Sequence, residues 1–182
     1  GSTSHIHGSV KVFPLVLTDH LFQLTDLSAI DGLEMHTPTS IEKACANFVG
    51  TADNQECSVS NCKFIGGALG SSGAAIANNT PTGNARINCR NIYYGGGDFF
   101  HFIETHGGRI TATDIFVQEF GGVNDDMHCV FRTDYDTGNT ISEIIAFNCE
   151  VRLSTLGSFY TAAGGSVEFF NVIVTGNAEG IR

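Results

Sequence analysis

Residues that could do chemistry are concentrated between positions 101 and 136. Aligning the apolar residues Ile103, Phe131 and Tyr160 as the inward positions of short stacked strands places Glu104 on Arg132 and His106 on Asp134 on the outward side. Asn124-Asp125-Asp126 and His128 come just before the second of these strands, and His128 falls near Phe100. Carboxylates, a guanidinium and imidazoles then share one face. Paired carboxylates are what glycoside hydrolysis requires, and a base beside a cation is what a lyase requires. The same residues could equally form exposed ion pairs, Glu104–Arg132 and His106–Asp134, each contributing only ~0–1 kcal/mol. A carbohydrate-binding face would use Glu104, His106, Asp125, Asp126, His128, Arg132 and Asp134 as hydrogen-bonding groups, with Tyr93 as an outward aromatic contact and Tyr94 in the core. Asp134-Tyr135-Asp136-Thr137-Gly138-Asn139 alternates oxygens as a calcium loop does, but no Glu follows at the required spacing. It reads as turn chemistry, and neither a metal nor a cofactor is expected.

The elements that must hold these residues repeat along the chain. In Ile144-Ile145-Ala146-Phe147-Asn148-Cys149-Glu150-Val151-Arg152 the apolar alternation changes phase at Asn148. Strand side chains alternate between two faces, so a phase change marks a bend with both short strands still facing one core. Asn accepts the left-handed backbone conformation that such a bend needs. The pattern recurs around Asn171, Asp114, Asn91 and Asn61, and around Gly32 with Ile30, Leu33 and Met35. The bends at 32, 61, 91, 114, 148 and 171 lie 29, 30, 23, 34 and 23 residues apart. Repeats of this length indicate a solenoid. A further strand precedes each Gly-rich corner: Ala74–Ala77 and His101–Thr105, then Cys129–Thr133 and Phe159–Ala162. The corners are Gly107-Gly108, Gly138-Asn139 and Gly164-Gly165. Each coil thus has three short strands. Residues 1–27 form an N-terminal segment, read as a cap, and 28–182 the solenoid. Ala44 to Val49 reads as a strand, with a short helical turn over Ile41 to Phe48 as the alternative.

Composition narrows the function. The 182 residues are 42% hydrophobic and only 15% charged, with 22 glycines and a net charge of −10. Lys11, Lys43 and Lys63 are the only lysines. Such a surface repels nucleic acid, and no apolar run reaches the ~18 residues of a membrane span. Gly1-Ser2 reads as an expression-vector scar, so the lack of a signal peptide carries no information about location. The six cysteines have no paired CxxC spacing. Cys62 and Cys149 occupy one inward column and Cys89 another, which suits buried thiols. Bridges Cys57–Cys62 or Cys45–Cys57 stay open as alternatives.

Short strands, an Asn ladder at a bend, and stacked aliphatic and Cys columns resemble the right-handed parallel β-helix of the pectate-lyase-like superfamily. The resemblance covers about residues 28–176 and implies an all-β fold of about six coils. Leucine-rich repeats have similar periods, but these copies lack the dense L-x-x-L-x-L pattern. Asp125-Asp126 is similar to the Asp-Asp of β-helical polygalacturonases, yet His106-Gly107 precedes the pair and Arg109-Ile110 is followed by Thr111. The chain also resembles segments of phage tailspikes and fibre tips. That likeness implies an extracellular or virion-associated, homotrimeric protein in contact with cell-surface polysaccharide. Without a complete catalytic motif, the chain is expected to be a non-catalytic recognition segment or a structural segment of a tailspike, fibre or adhesin. The alternative expectation is a polysaccharide lyase or glycoside hydrolase. No nucleic-acid partner and no membrane insertion are expected.

Overall fold

A computed structural model describes residues 10–13, 19–37, 43–67, 73–80, 84–97, 99–120, 129–134, 141–153, 158–162 and 164–176. The order of strands is β1 (Val10–Val12), β2 (Phe22–Leu24), β3 (Ala29–Asp31), β4 (Leu33–His36), β5 (Ala46–Phe48), β6 (Glu56–Ile65) and β7 (Ala74–Asn79). There follow β8 (Arg86–Tyr94), β9 (His101–Phe120), β10 (Cys129–Thr133), β11 (Ser142–Leu153), β12 (Ser158–Ala162) and β13 (Ser166–Gly176). No helix occurs among the described residues, and Ala46–Phe48 is a strand rather than a helical turn. Every pairing among these strands is parallel. The result is an all-β, all-parallel sheet that curls around one core, an architecture compatible with a parallel β-helix.

The bends position everything else. Asn61, Asn91, Asp114, Asn148 and Asn171 all have φ between 52° and 57°, and Gly32 has φ 71°. Each is a residue type that enters the left-handed region at low steric cost. Because the bend preserves the inward side, Ile30, Val59, Cys89, Ala112, Ala146 and Phe169 fall in one register column. Past the bend, Cys62, Ile92 and Ile115 continue as a second column, and Cys149 pairs with Val172. Most of these side chains are fully buried in a single cluster. Burial of each large aliphatic or aromatic side chain stabilises the fold by about 1.5–3 kcal/mol.

The bend side chains form a directional ladder. Asn91 Nδ2 donates to Asn61 Oδ1 at 2.8 Å, and Asn171 Nδ2 to Asn148 Oδ1 at 2.9 Å. Asn148 Nδ2 reaches Asp114 Oδ1 at 3.4 Å. Donation always runs toward the preceding bend. Gly32 has no side chain, so Asn61 donates to the adjacent Asp31 instead, at 2.7 Å. Between Asp114 and Asn91 the ladder is interrupted, because a carboxylate accepts but cannot donate.

The second sheet face carries the column Phe22, Ala46, Ile76, Ile103, Phe131 and Tyr160, as the alternation requires. The neighbouring Ala75, Phe102 and Val130 are also fully buried in the same core. Ala75-Ile76, Phe102-Ile103 and Val130-Phe131 are thus consecutive buried pairs. Gly108 (φ 75°) and Gly165 (φ 85°) form two of the expected corners; a Cβ at Gly165 would lie 2.1 Å from the Ser142 carbonyl oxygen. The Gly138-Asn139 corner lies outside the described residues.

All six cysteines are buried free thiols, and no bridge joins Cys57 to Cys62 or to Cys45. Burial raises the pKa of Cys45, Cys57 and Cys149 to about 12. In the N-terminal segment, β1 pairs with β4 and β2 with β5, so both belong to the sheet.

Candidate functional site

The register places Arg132 opposite Glu104 and Thr133 opposite Thr105, which brings Asp134 level with His106. Glu104, His106, Arg132 and Asp134 therefore come together, and of the two expected pairs His106–Asp134 is present among the described residues while Glu104–Arg132 is not. Arg132 Nη2 lies 2.8 Å from Asp134 Oδ2, two residues along its own strand, and Nη1 contacts His101 Nε2. No Glu104–Arg132 pair occurs among the described residues. Glu104 Oε2 instead lies 3.6 Å from His106 Nε2 and 4.0 Å from His101 Nε2. His106 Nδ1 is 4.0 Å from Asp134 Oδ2. Asp134, Arg132, His101, Glu104 and His106 thus close a ring. Four of its side chains are 15–23% exposed and one, His101, only 3%.

His101 was not singled out from the sequence. Strict alternation would put residues 101 and 104 on opposite faces. Strict alternation fails here: Phe102 and Ile103 are both fully buried, and His101 lies on the side of Glu104. Its Nδ1 lies 3.3 Å from Cys129 Sγ, a thiol in register with it. A guanidinium only donates, so His101 Nε2 is the acceptor and the ring proton sits on Nδ1, directed at the sulfur. The signal that could have found this pair is the shared register column of His101 and Cys129.

Further along the same outward column, Arg132 and Glu104 are followed by Ala77 and Asn47. Ala44, Ala74 and Ala77 form a small buried cluster separate from the main core. His20 accepts a hydrogen bond from the Ala44 amide at 2.9 Å. Burial, then the charge of Lys43, lowers its pKa.

Asp125, Asp126 and His128 lie outside the described residues, as do Tyr135 to Asn139. Tyr93 does not join the ring. It sits on the other sheet face between Lys63 and Phe116, its ring stacked on Phe116 at 5.0 Å and 21°. Tyr94 packs edge-on against Phe102 and Phe120, in the core as expected.

A second charged cluster went unnoticed in the sequence. Glu34 is 7% exposed and receives Lys11 and Lys63 at 3.2 Å and His36 at 3.1 Å. Burial alone would raise its pKa, but hydrogen bonds from Lys63, His36 and Lys11 overcome that and hold it at about 2. Lys11, Glu34 and Lys63 share a register column, so the cluster ties β1 to β4 and β6. It is a structural clamp.

A pocket of about 170 Å³ lies among Leu27, Ser28, Glu56, Ser58 and Asn88, with no residue of the ring in its lining. Among the described residues no three of His, Cys, Asp and Glu converge as a metal site. No protein-family profile, curated protein or solved structure matches this chain.

Proposed function

We propose that the chain is a right-handed parallel β-helix of about six coils, with three short strands each. Its ring face is a non-catalytic recognition surface for a cell-surface polysaccharide. The setting is a tailspike, fibre or adhesin, extracellular or virion-associated and homotrimeric. Support for the fold comes from parallel pairing between residues offset by one sequence repeat, as Ile87 with Ile110 and Ile144 with Val167.

The observation that carries the binding reading is the closed ring of Asp134, Arg132, His101, Glu104 and His106. Each carboxylate faces a guanidinium or an imidazole, which leaves no isolated acid–base pair. Arg132 is fixed by its hydrogen bonds to Asp134 and His101, and the partly exposed oxygens and N–H groups grouped around it suit sugar hydroxyls, which both donate and accept. Arg132 is held by Asp134, and the chain carries a charge of −10. Neutral sugars and amino sugars therefore fit the face better than uronic acids.

A glycan array and a depolymerisation assay test this, run on the protein and on a Glu104→Ala/Asp134→Ala variant. Binding without product, lost in the variant, is the expected result. Product formation lost in the variant would make the protein a lyase or hydrolase. Silence from both proteins would leave the chain a structural segment.

A further inference from the structure

We infer that β2 is a strap released by mild acid, its latch the hydrogen bond from the Ala44 amide to His20 Nδ1. β2 spans Phe22–Leu24 and, among the described residues, pairs only with β5. Its register pairs are Phe22 with Ala46, Gln23 with Asn47 and Leu24 with Phe48. So short a strand depends on what anchors its start. Ala44, only 2% exposed, is gripped at both its polar groups. Its N–H donates to His20 Nδ1 at 2.9 Å, and its carbonyl accepts from the Leu21 N–H at 3.1 Å. Beyond the other end of β2, the Asp26 side chain accepts from the Glu56 amide at 3.0 Å, and the Leu27 N–H donates to the Glu56 carbonyl at 2.7 Å. Neither of these bonds involves His20, so the releasable stretch is 19–24.

The donor in the latch is a backbone N–H, so His20 Nδ1 is the acceptor and the imidazole is neutral. A protonated imidazole carries a proton on both nitrogens and cannot accept. Protonation therefore sets two donors against each other and leaves a buried amide without a partner, which costs more than the lost bond alone. The charged groups that face His20 are Lys43, Asp19 and Glu104. Burial, then Lys43, lowers the pKa of the docked imidazole below its ordinary 6.5, and the two carboxylates offset this only in part. Once released, the imidazole takes its proton near 6.5; docked, it takes it at lower pH. Docking is thus complete above about pH 6.5 and weakens as pH falls through that value. Release frees the edge of β5 and exposes the buried Leu24. This inference is independent of the glycan reading.

The test is amide hydrogen exchange followed by NMR on the whole protein, between about pH 7.5 and about pH 5, with rates corrected for the intrinsic pH dependence of exchange. In the wild type the amides of Leu21, Phe22 and Ala44 should lose protection several-fold toward acid. Those of Ile92 and Ile115, paired in the middle of the fold, should not. His20→Asn puts a non-titrating Oδ1 acceptor in place of Nδ1 and should abolish the response to acid. His20→Ala should lower protection of the three amides about fivefold at neutral pH, the ratio set by one hydrogen bond. A pH-independent wild type, a His20→Asn protein that still responds to acid as the wild type does, or a His20→Ala protein protected like the wild type would each overturn the inference. So would parallel loss of protection at Ile92 and Ile115, since the whole fold would then be opening rather than the strap.

Discussion

Arg132 stands in register opposite Glu104 on the neighbouring strand, yet its guanidinium closes on Asp134, with Nη2 2.8 Å from Oδ2. That pairing leaves Glu104 beside His106, with Oε2 3.6 Å from Nε2. Arg132→Met should cost about 1–3 kcal/mol of stability, because Asp134 and His101 both lose a charged donor. In urea unfolding, the double variant Arg132→Met/Asp134→Leu should cost less than the sum of the two single changes. Strict additivity would show that the ring is not coupled.

The interruption of the bend ladder at Asp114 can be repaired. Asp114→Asn supplies an Nδ2 that can reach Asn91 Oδ1, a gain of ~0.5–1.5 kcal/mol. It forfeits the Arg90–Asp114 contact, which is 4.0 Å long and 77% exposed on the arginine side, worth ~0–1 kcal/mol. A net rise in the thermal midpoint is expected. The reverse change, Asn148→Asp, should lower it, since two carboxylates then meet at the 114 and 148 bends. A lower midpoint for Asp114→Asn would mean that the ladder contributes nothing.

Acid should weaken the clamp at Glu34. Its folded pKa is held at about 2 against an ordinary 4.5. Between those values the unfolded chain binds the proton and the folded chain does not, so stability falls as pH falls. The contribution is complete above about pH 4.5 and vanishes near pH 2. Urea midpoints measured from pH 6 to 2 should therefore drop less steeply in Glu34→Gln than in the wild type. Parallel slopes would remove Glu34 from the acid response.

Alkali should act through the thiols. Burial holds Cys45, Cys57 and Cys149 near 12 against an ordinary 9. Above pH 9 the unfolded chain loses these protons first, so stability falls as pH rises toward 12. At neutral pH, Ellman's reagent should find no reactive thiol in the folded protein and six in concentrated guanidinium. A thiol that titrates in the native state would contradict the burial.

The sequence by itself determined the bends and hence the register. An apolar alternation that changes phase at Asn, Asp or Gly has one simple backbone solution, and Gly32, Asn61, Asn91, Asp114, Asn148 and Asn171 all adopt it. With the bends in place, strand spacing followed, and so did the alignment of Glu104 with Arg132. Only the tertiary structure decided the partners. Register brings side chains level, but each long side chain can still turn along its strand or across it, and Arg132 turned along. His101 stayed hidden because Phe102 and Ile103 are both buried, which breaks the alternation that a pattern read two residues at a time assumes. Tyr93 reads as an outward aromatic in either case, and only the fold places it on the other sheet face, against Phe116 rather than beside Glu104.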